Sequence, residues 1–220
     1  MKQLAFLIKA TLIVTCTSFI PLIAVPAYAS NMPLATSPYF IPVSINGGLL
    51  INQGGIIGKP FFPMGDNITG GRGQTIDGIK ANSMEALAYH IHAHLSIIDK
   101  GHEIAIPAGI GITPPLQIQN GFVSNGAAYY WLHTHDATGI IHIESPVHKI
   151  FTLGQFFDIW GMPLSKNNVA GFKGKVLVYV NGKPDYEPLR MITLTAHKQI
   201  TLEIGKPYIK PPKYIFPQGL

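Results

Sequence analysis

Tyr89-His90-Ile91-His92-Ala93-His94 and, after one long intervening stretch, Leu132-His133-Thr134-His135-Asp136 are the two runs on which the reading of this chain turns. Both place histidine at every second position. In an extended strand successive side chains point to opposite faces, so this spacing sets His90, His92 and His94 on one face of a strand and His133 and His135 on one face of another. The runs predict strands that present imidazoles together, and with them a β-dominated fold. His142, just beyond the second run, brings six of the nine histidines into these clusters.

Next to the first run, Asp99-Lys100-Gly101 reads as a three-residue hairpin loop leading into a strand over residues 103–106. Pro107 ends it, and Pro107-Ala108-Gly109-Ile110-Gly111-Ile112 turns a corner, because proline donates no ladder hydrogen bond. The second run belongs to a hairpin whose arms are residues 129–135 and 140–144, joined about Asp136-Ala137-Thr138-Gly139. Two registers stay open: His133 opposite His142, or His135 opposite His142. Directly opposed residues share a face, so either groups His133, His135, His142 and Glu144; a three-residue loop would set His142 opposite Thr134 and break the group.

Farther out, residues 30–73 are rich in Gly, Pro and Asn and predict an irregular wrap with one or two short strands. Ser83-Met84-Glu85-Ala86 reads as a single helical turn capped by Ser83 or Asn82. Thr152-Leu153-Gly154-Gln155 has the form of a capping box opening a helix over residues 153–160, which Gly161 and Pro163 stop. Phe156, Phe157 and Trp160 give that helix an apolar face, read as core. Residues 175–180 run into the hairpin signal Asn181-Gly182, residues 189–195 and 199–204 read as two more strands, and 206–220 is a Pro-rich tail. The expected fold is all-β or β-dominated: an antiparallel sandwich or set of hairpins with one short helix. Its segments are 1–29, 30–73, a histidine-rich hairpin core at 74–148, a helix-plus-strand part at 149–205 packed on that core, and the tail.

The first 29 residues read as a secretory signal. A basic start at Lys2 precedes an apolar run over residues 10–25 and the small-residue site Ala27-Tyr28-Ala29 before Ser30. A membrane anchor is the rival, weakened by Lys9 and Pro21 in the run. The chain is therefore expected to be exported, periplasmic or secreted, with no membrane span after cleavage. Cys16 is the single cysteine and lies inside this segment. A lipid-attachment role is its rival reading, disfavoured by Thr15 before it. The exported form then has no thiol, which excludes disulfides, thiolate ligands, haem attachment and cysteine catalysis. Without Lys2 and Lys9, 14 basic residues face 11 acidic ones, too small a balance for a nucleic-acid footprint. With 47% apolar residues and 12% charged, the chain can bury a sizeable core. Asn67-Ile68-Thr69 matches the glycosylation pattern and is read as chance.

Neutral imidazole ligates zinc, copper, nickel and iron. Three histidines on one strand do not all reach one ion, since the outer two lie about 13 Å apart at about 3.3 Å per residue. The expected ligands are His92, His94, His133 and His135, with His90, His142 and Asp136 as alternates. Asp136 is equally well read as a ligand, as an orienting acceptor for a histidine or as the opener of its turn. Glu144 or Asp136 is the candidate base if the site is catalytic. His102, His148 and His197 stand alone and read as surface or hydrogen-bonded residues. The donor set suits copper(II) or zinc, and the scattered methionines count against a copper(I) carrier. No Ser-His-Asp constellation, phosphate loop or paired catalytic carboxylates appear. Three functions follow: an exported metal-binding protein, a metal-dependent oxidase, oxygenase or hydrolase at the same site, or an interaction module without metal. A closed four-ligand site favours the first, a three-ligand site at the floor of a pocket the second, and histidines pointing apart the third. A metal ion is the one expected partner; the residues single out no protein partner.

Tyr89-His90-Ile91-His92-Ala93-His94-Leu95, the run from Pro107 to Ile112, Leu132-His133-Thr134-His135-Asp136, Gly139-Ile140-Ile141-His142-Ile143-Glu144-Ser145-Pro146 and Phe151-Thr152-Leu153-Gly154-Gln155-Phe156-Phe157-Asp158-Ile159-Trp160-Gly161 resemble segments of a family of uncharacterised exported bacterial proteins. The similarity covers residues 73–220. It implies secretion and a shared histidine core, and brings no reaction with it. Members often carry cysteines near both histidine clusters; this chain has none there, so any such disulfide is missing.

Overall fold

The first histidine run lies in β1 (Tyr89–Asp99), the strand about which a computed structural model of the chain is built. The structure describes residues 43–65 and 70–220; the expected signal segment, Cys16 and the Asn67 glycosylation match lie outside the described residues. β1 turns through Lys100-Gly101 into β2 (His102–Ile104), pairing Asp99 with His102. The loop is thus two residues rather than the expected three, and β2 ends short of residue 106. Lys100 and Gly101 both take positive φ (49° and 79°), the twist that matches a tight hairpin to its flanking strands.

β3 (Leu132–His133) and β4 (Ile140–Ser145) follow, then β5 (Val176–Val180), β6 (Lys183–Pro184) and β7 (Gln199–Ile204). The sheet order is β3-β4-β1-β7-β5-β6, with β2 beside β1 past the end of β4. Every pairing is antiparallel except β7 with β1, which run parallel, Gln199 beside His94 and Ile204 beside Asp99. Such a pair needs a long crossover, and the residues between β4 and β7 supply it through α1 (Leu153–Trp160).

α1 begins as expected. Thr152 Oγ1 accepts from Gln155 N–H while the Gln155 side chain accepts from Thr152 N–H, and Gly161 closes the helix in the left-handed conformation (φ 76°). Its Phe156, Phe157 and Trp160 are wholly buried against the apolar face of the sheet, which carries Ala93, Leu95, Ile97, Ile141, Ile143, Ile200, Leu202 and Ile204. This is the core.

Three further expectations fail. Residues 129–135 do not form one strand but break into Ala128–Tyr130 and Leu132–His133, leaving His135 in a bend. Residues 83–86 form bends rather than a helical turn, and residues 189–195 divide into a 3₁₀ turn (Leu189–Met191) and a two-residue strand (Thr193–Leu194) paired with Phe151–Thr152. Pro188, at the N-cap of that turn, has no N–H to donate to a ladder there. Among the described residues no helix is long and apolar enough to cross a membrane.

The opposite face of the sheet is polar, and it too is buried. His92, Ser96, Thr201, Glu203, His142 and Glu144 are each 7% exposed or less. Residues 43–57 and the tail cover part of it: Leu49 and Leu50 pair with Tyr214 and Ile215, and Ile51, Ile57, Ile140 and Tyr214 form a second small core. Polar groups sealed in this way need partners, which directs attention to what they meet.

Candidate metal centre

Three registers bring the histidines together. Across β1 and β4 His92 faces His142 and His90 faces Glu144; across β4 and β3 His142 faces His133. Of the two registers left open by the sequence, the structure takes the one with His133 opposite His142. Residues opposed across strands share a face at about 4.5–5.5 Å, so His92, His142 and His133 form one row of imidazoles across three strands. Their ring centroids are 4.5 Å (His92–His142) and 5.4 Å (His133–His142) apart. His135 lies just past the end of β3. Thr134 pins that turn, its hydroxyl donating to Pro107 O (2.8 Å) and accepting from Ile110 N–H (3.1 Å).

Tautomers follow from the acceptors nearby. His133 Nδ1 lies 2.8 Å from Tyr130 O and His135 Nδ1 lies 2.6 Å from Val123 O. A carbonyl oxygen only accepts, so each ring places a proton on Nδ1 and, while neutral, leaves Nε2 as a bare lone pair. These two Nε2 atoms face each other at 3.1 Å. Two lone pairs at that distance repel unless a proton or a metal ion lies between them. A carbonyl on the far nitrogen is also the arrangement that orients metal-ligating histidines. His135 is further held by Phe122, stacked on it at 4.7 Å.

On the other side of the row, His92 Nε2 lies 3.0 Å from His90 Nε2 and 3.2 Å from His142 Nδ1. Glu144 stands between the two sides. Its Oε1 is 3.0 Å from His90 Nε2, 3.2 Å from His142 Nδ1 and 3.8 Å from His133 Nε2. Its Oε2 is buried with no hydrogen-bond partner among the described residues. The donors fall into two groups, each with all ligand atoms within 4.8 Å of one another: His90, His92, His142 and Glu144, and the fully buried His133, His135, His142 and Glu144. Buried histidine and glutamate groups thus stand close enough to hold a metal ion.

Burial shapes their protonation. Loss of solvent, reinforced by neighbouring histidines, lowers His92 to about 4, His133 to about 3 and His142 well below the ordinary imidazole value. Burial also pushes Glu144 up to about 7, with repulsion from Glu85 adding to it. His135 is the exception: burial opposes its charge, but Glu85 Oε1 at 3.3 Å and the Val123 carbonyl outweigh that and raise it.

Among the expected ligands, His92, His133 and His135 join the cluster, as do the alternates His90 and His142. His94 does not. It lies opposite Ile140 on β4, its Nε2 bonds Thr138 O at 2.8 Å, and its ring lies against Tyr214 at 4.3 Å. Asp136 is used by the turn: it accepts from Gly54 N–H (2.8 Å), Thr138 N–H (3.1 Å) and the Thr138 hydroxyl, which occupies both oxygens. Glu144, read from sequence only as a base, is a full member of both groups. Glu85 was missed as a site residue. It sits 50 positions from His135 in an irregular loop, and no spacing pattern marks it. His102, His148 and His197 are exposed and belong to neither group.

A cavity of about 730 Å³ beside His197, Lys210 and Lys213 and another of about 540 Å³ along Val176, Val178 and Tyr186 are lined by none of the donors. No protein-family model matches the chain, and no curated protein and no solved structure was found to match it.

Proposed function

We propose that the chain is an exported transition-metal-binding protein whose ion is copper or zinc, acting in storage, delivery or protection. The observation that carries this reading is the His133–His135 pair, two converging Nε2 atoms 3.1 Å apart with both Nδ1 atoms donating to carbonyls. An all-imidazole set with one carboxylate suits copper(II) and zinc better than the harder ions magnesium and calcium, which prefer oxygen. Burial of a closed four-donor group favours holding an ion over turning over a substrate. Export is supported by the signal-like first 29 residues, by the lack of cysteine after Cys16 and by the resemblance of the motifs to exported bacterial proteins.

The second reading is a metal-dependent enzyme with Glu144 as base. It rests on His90, whose side chain is 38% exposed and gives solvent an approach to the cluster. Elemental analysis of the untagged protein from its native compartment tests the metal reading: about one equivalent or more of copper or zinc is expected. The double variant H142A/E144A, which removes both donors common to the two groups, is expected to lose it while keeping the parent's far-UV circular dichroism. Metal-free protein that added copper or zinc does not stabilise thermally overturns the proposal.

A further inference from the structure

We propose that the cluster is a dinuclear centre: two metal ions, one held by His133 and His135 and the other by His90, His92 and His142, with Glu144 shared between them. This rests on the metal-binding reading above and goes beyond it in number, arrangement and access.

Ligand geometry requires more than one position. Donor atoms lie about 2.0–2.1 Å from zinc, so any two donors on one ion are within about 4.2 Å of each other, and neighbours in a tetrahedron about 3.3 Å apart. The contacts His90–His92 (3.0 Å), His92–His142 (3.2 Å), His142–Glu144 (3.2 Å) and His133–His135 (3.1 Å) are all near that tetrahedral edge. The six donors do not form one such set. They divide into two overlapping groups of four, and an ion in either group leaves a pair of converging imidazole nitrogens on the other side of Glu144.

Glu144 has the form a bridge requires. One oxygen, Oε1, is within 3.8 Å of ring nitrogens from both pairs, and the other, Oε2, is buried and unpartnered among the described residues. A buried carboxylate oxygen without a donor is costly and uncommon, and a second cation satisfies it. Glu85, 3.3 Å from His135 Nε2, adds a second carboxylate beside the inner pair, so the charge of two divalent ions is opposed by two acidic groups.

The two positions differ in access. His133 is 0% exposed and His135 6%, whereas the His90 side chain is 38% exposed. The inner ion is therefore enclosed, and the outer ion is the one that exchanges or takes an external ligand such as water.

The test is a titration of the untagged apoprotein with zinc(II), read by calorimetry and by elemental analysis after desalting. A copper(II)-loaded sample is then examined by electron paramagnetic resonance. Two equivalents are expected, with copper spins coupled across a separation of about 4 Å, typical of two-metal sites. H90A/H92A and H133A/H135A, each checked for native circular dichroism, should each retain one equivalent and lose the coupling. One equivalent at saturation in the parent overturns the dinuclear arrangement and leaves the metal-binding reading standing. Two equivalents with uncoupled copper spectra overturn it as well, since the second ion is then elsewhere. No uptake at all overturns both.

Discussion

At the scale of the residue, the informative feature is a set of imidazoles, His135 excepted, kept neutral by burial. The ordinary histidine value is near 6.5, and His92 and His94 are both lowered to about 4. The sign follows from linkage: a group whose proton affinity is weaker in the folded than in the unfolded chain contributes stability that is complete above about pH 6.5 and is lost as pH falls toward its folded value. Acidifying the metal-free protein from pH 7 to pH 4 should therefore destabilise it, by up to about 3 kcal/mol for His94 alone. Thermal melts across that range check this, with H94N expected to flatten the dependence. A melting temperature unchanged between pH 6.5 and 4 would contradict it. His135 and Glu144 are raised instead, so protons compete with an ion at these two donors as the pH falls. Bound metal should therefore be released progressively as the pH falls below about 7, read by elemental analysis after desalting at each pH.

Elements carry the donors, so a change far from any ligand can still disturb the row. Gly139 takes φ +86°, and a Cβ there would lie 2.4 Å from Leu95 O, a backbone atom that cannot move cheaply. Its own carbonyl accepts from Leu95 N–H, which locks the entry of β4 onto β1. G139A should cost about 1–3 kcal/mol from backbone strain and lower metal affinity by shifting His142 relative to His92. Denaturant melts and metal titration read the two effects. T152A is the contrasting case. It removes the capping hydroxyl of α1, on the apolar side of the sheet, and should cost about 1 kcal/mol while metal affinity stays at the parent's value.

For the whole molecule, the polar face of the sheet is sealed by segments from the two ends of the described chain. Tyr214, in the tail, pairs with Leu49, lies against His94 and donates to Glu103 Oε2 at 2.6 Å. Burial raises Glu103 above the usual carboxylate range, so removing its donor leaves a costly acceptor. Y214F should lower stability by about 1–3 kcal/mol, seen in urea denaturation, with metal stoichiometry unchanged because Tyr214 touches none of the six donors. Loss of metal in Y214F would show that the tail positions the centre.

Much of this was legible in the residues alone. The two-residue spacing of His90 and His92 implied a strand and a common face, because the alternation of a strand is local geometry; His135, past the end of β3, reaches His133 through a bend instead. The capping box at Thr152 and Gln155 and the stop at Gly161 placed α1 to the residue for the same reason. What the chain alone left undecided depended on which strands are neighbours. The placement of β4 between β3 and β1 unites the two histidine clusters and makes Glu144 the centre of the site, and no local pattern encodes it. His94 shares a face with His92 yet is drawn away, because its register partner is Ile140 and the tail offers Tyr214 to its ring. Glu85 reaches His135 through a loop whose path only the fold defines. Local alternation thus determined that the histidines of β1 would share a face, while strand order and register, properties of the folded sheet, decided which histidines converge.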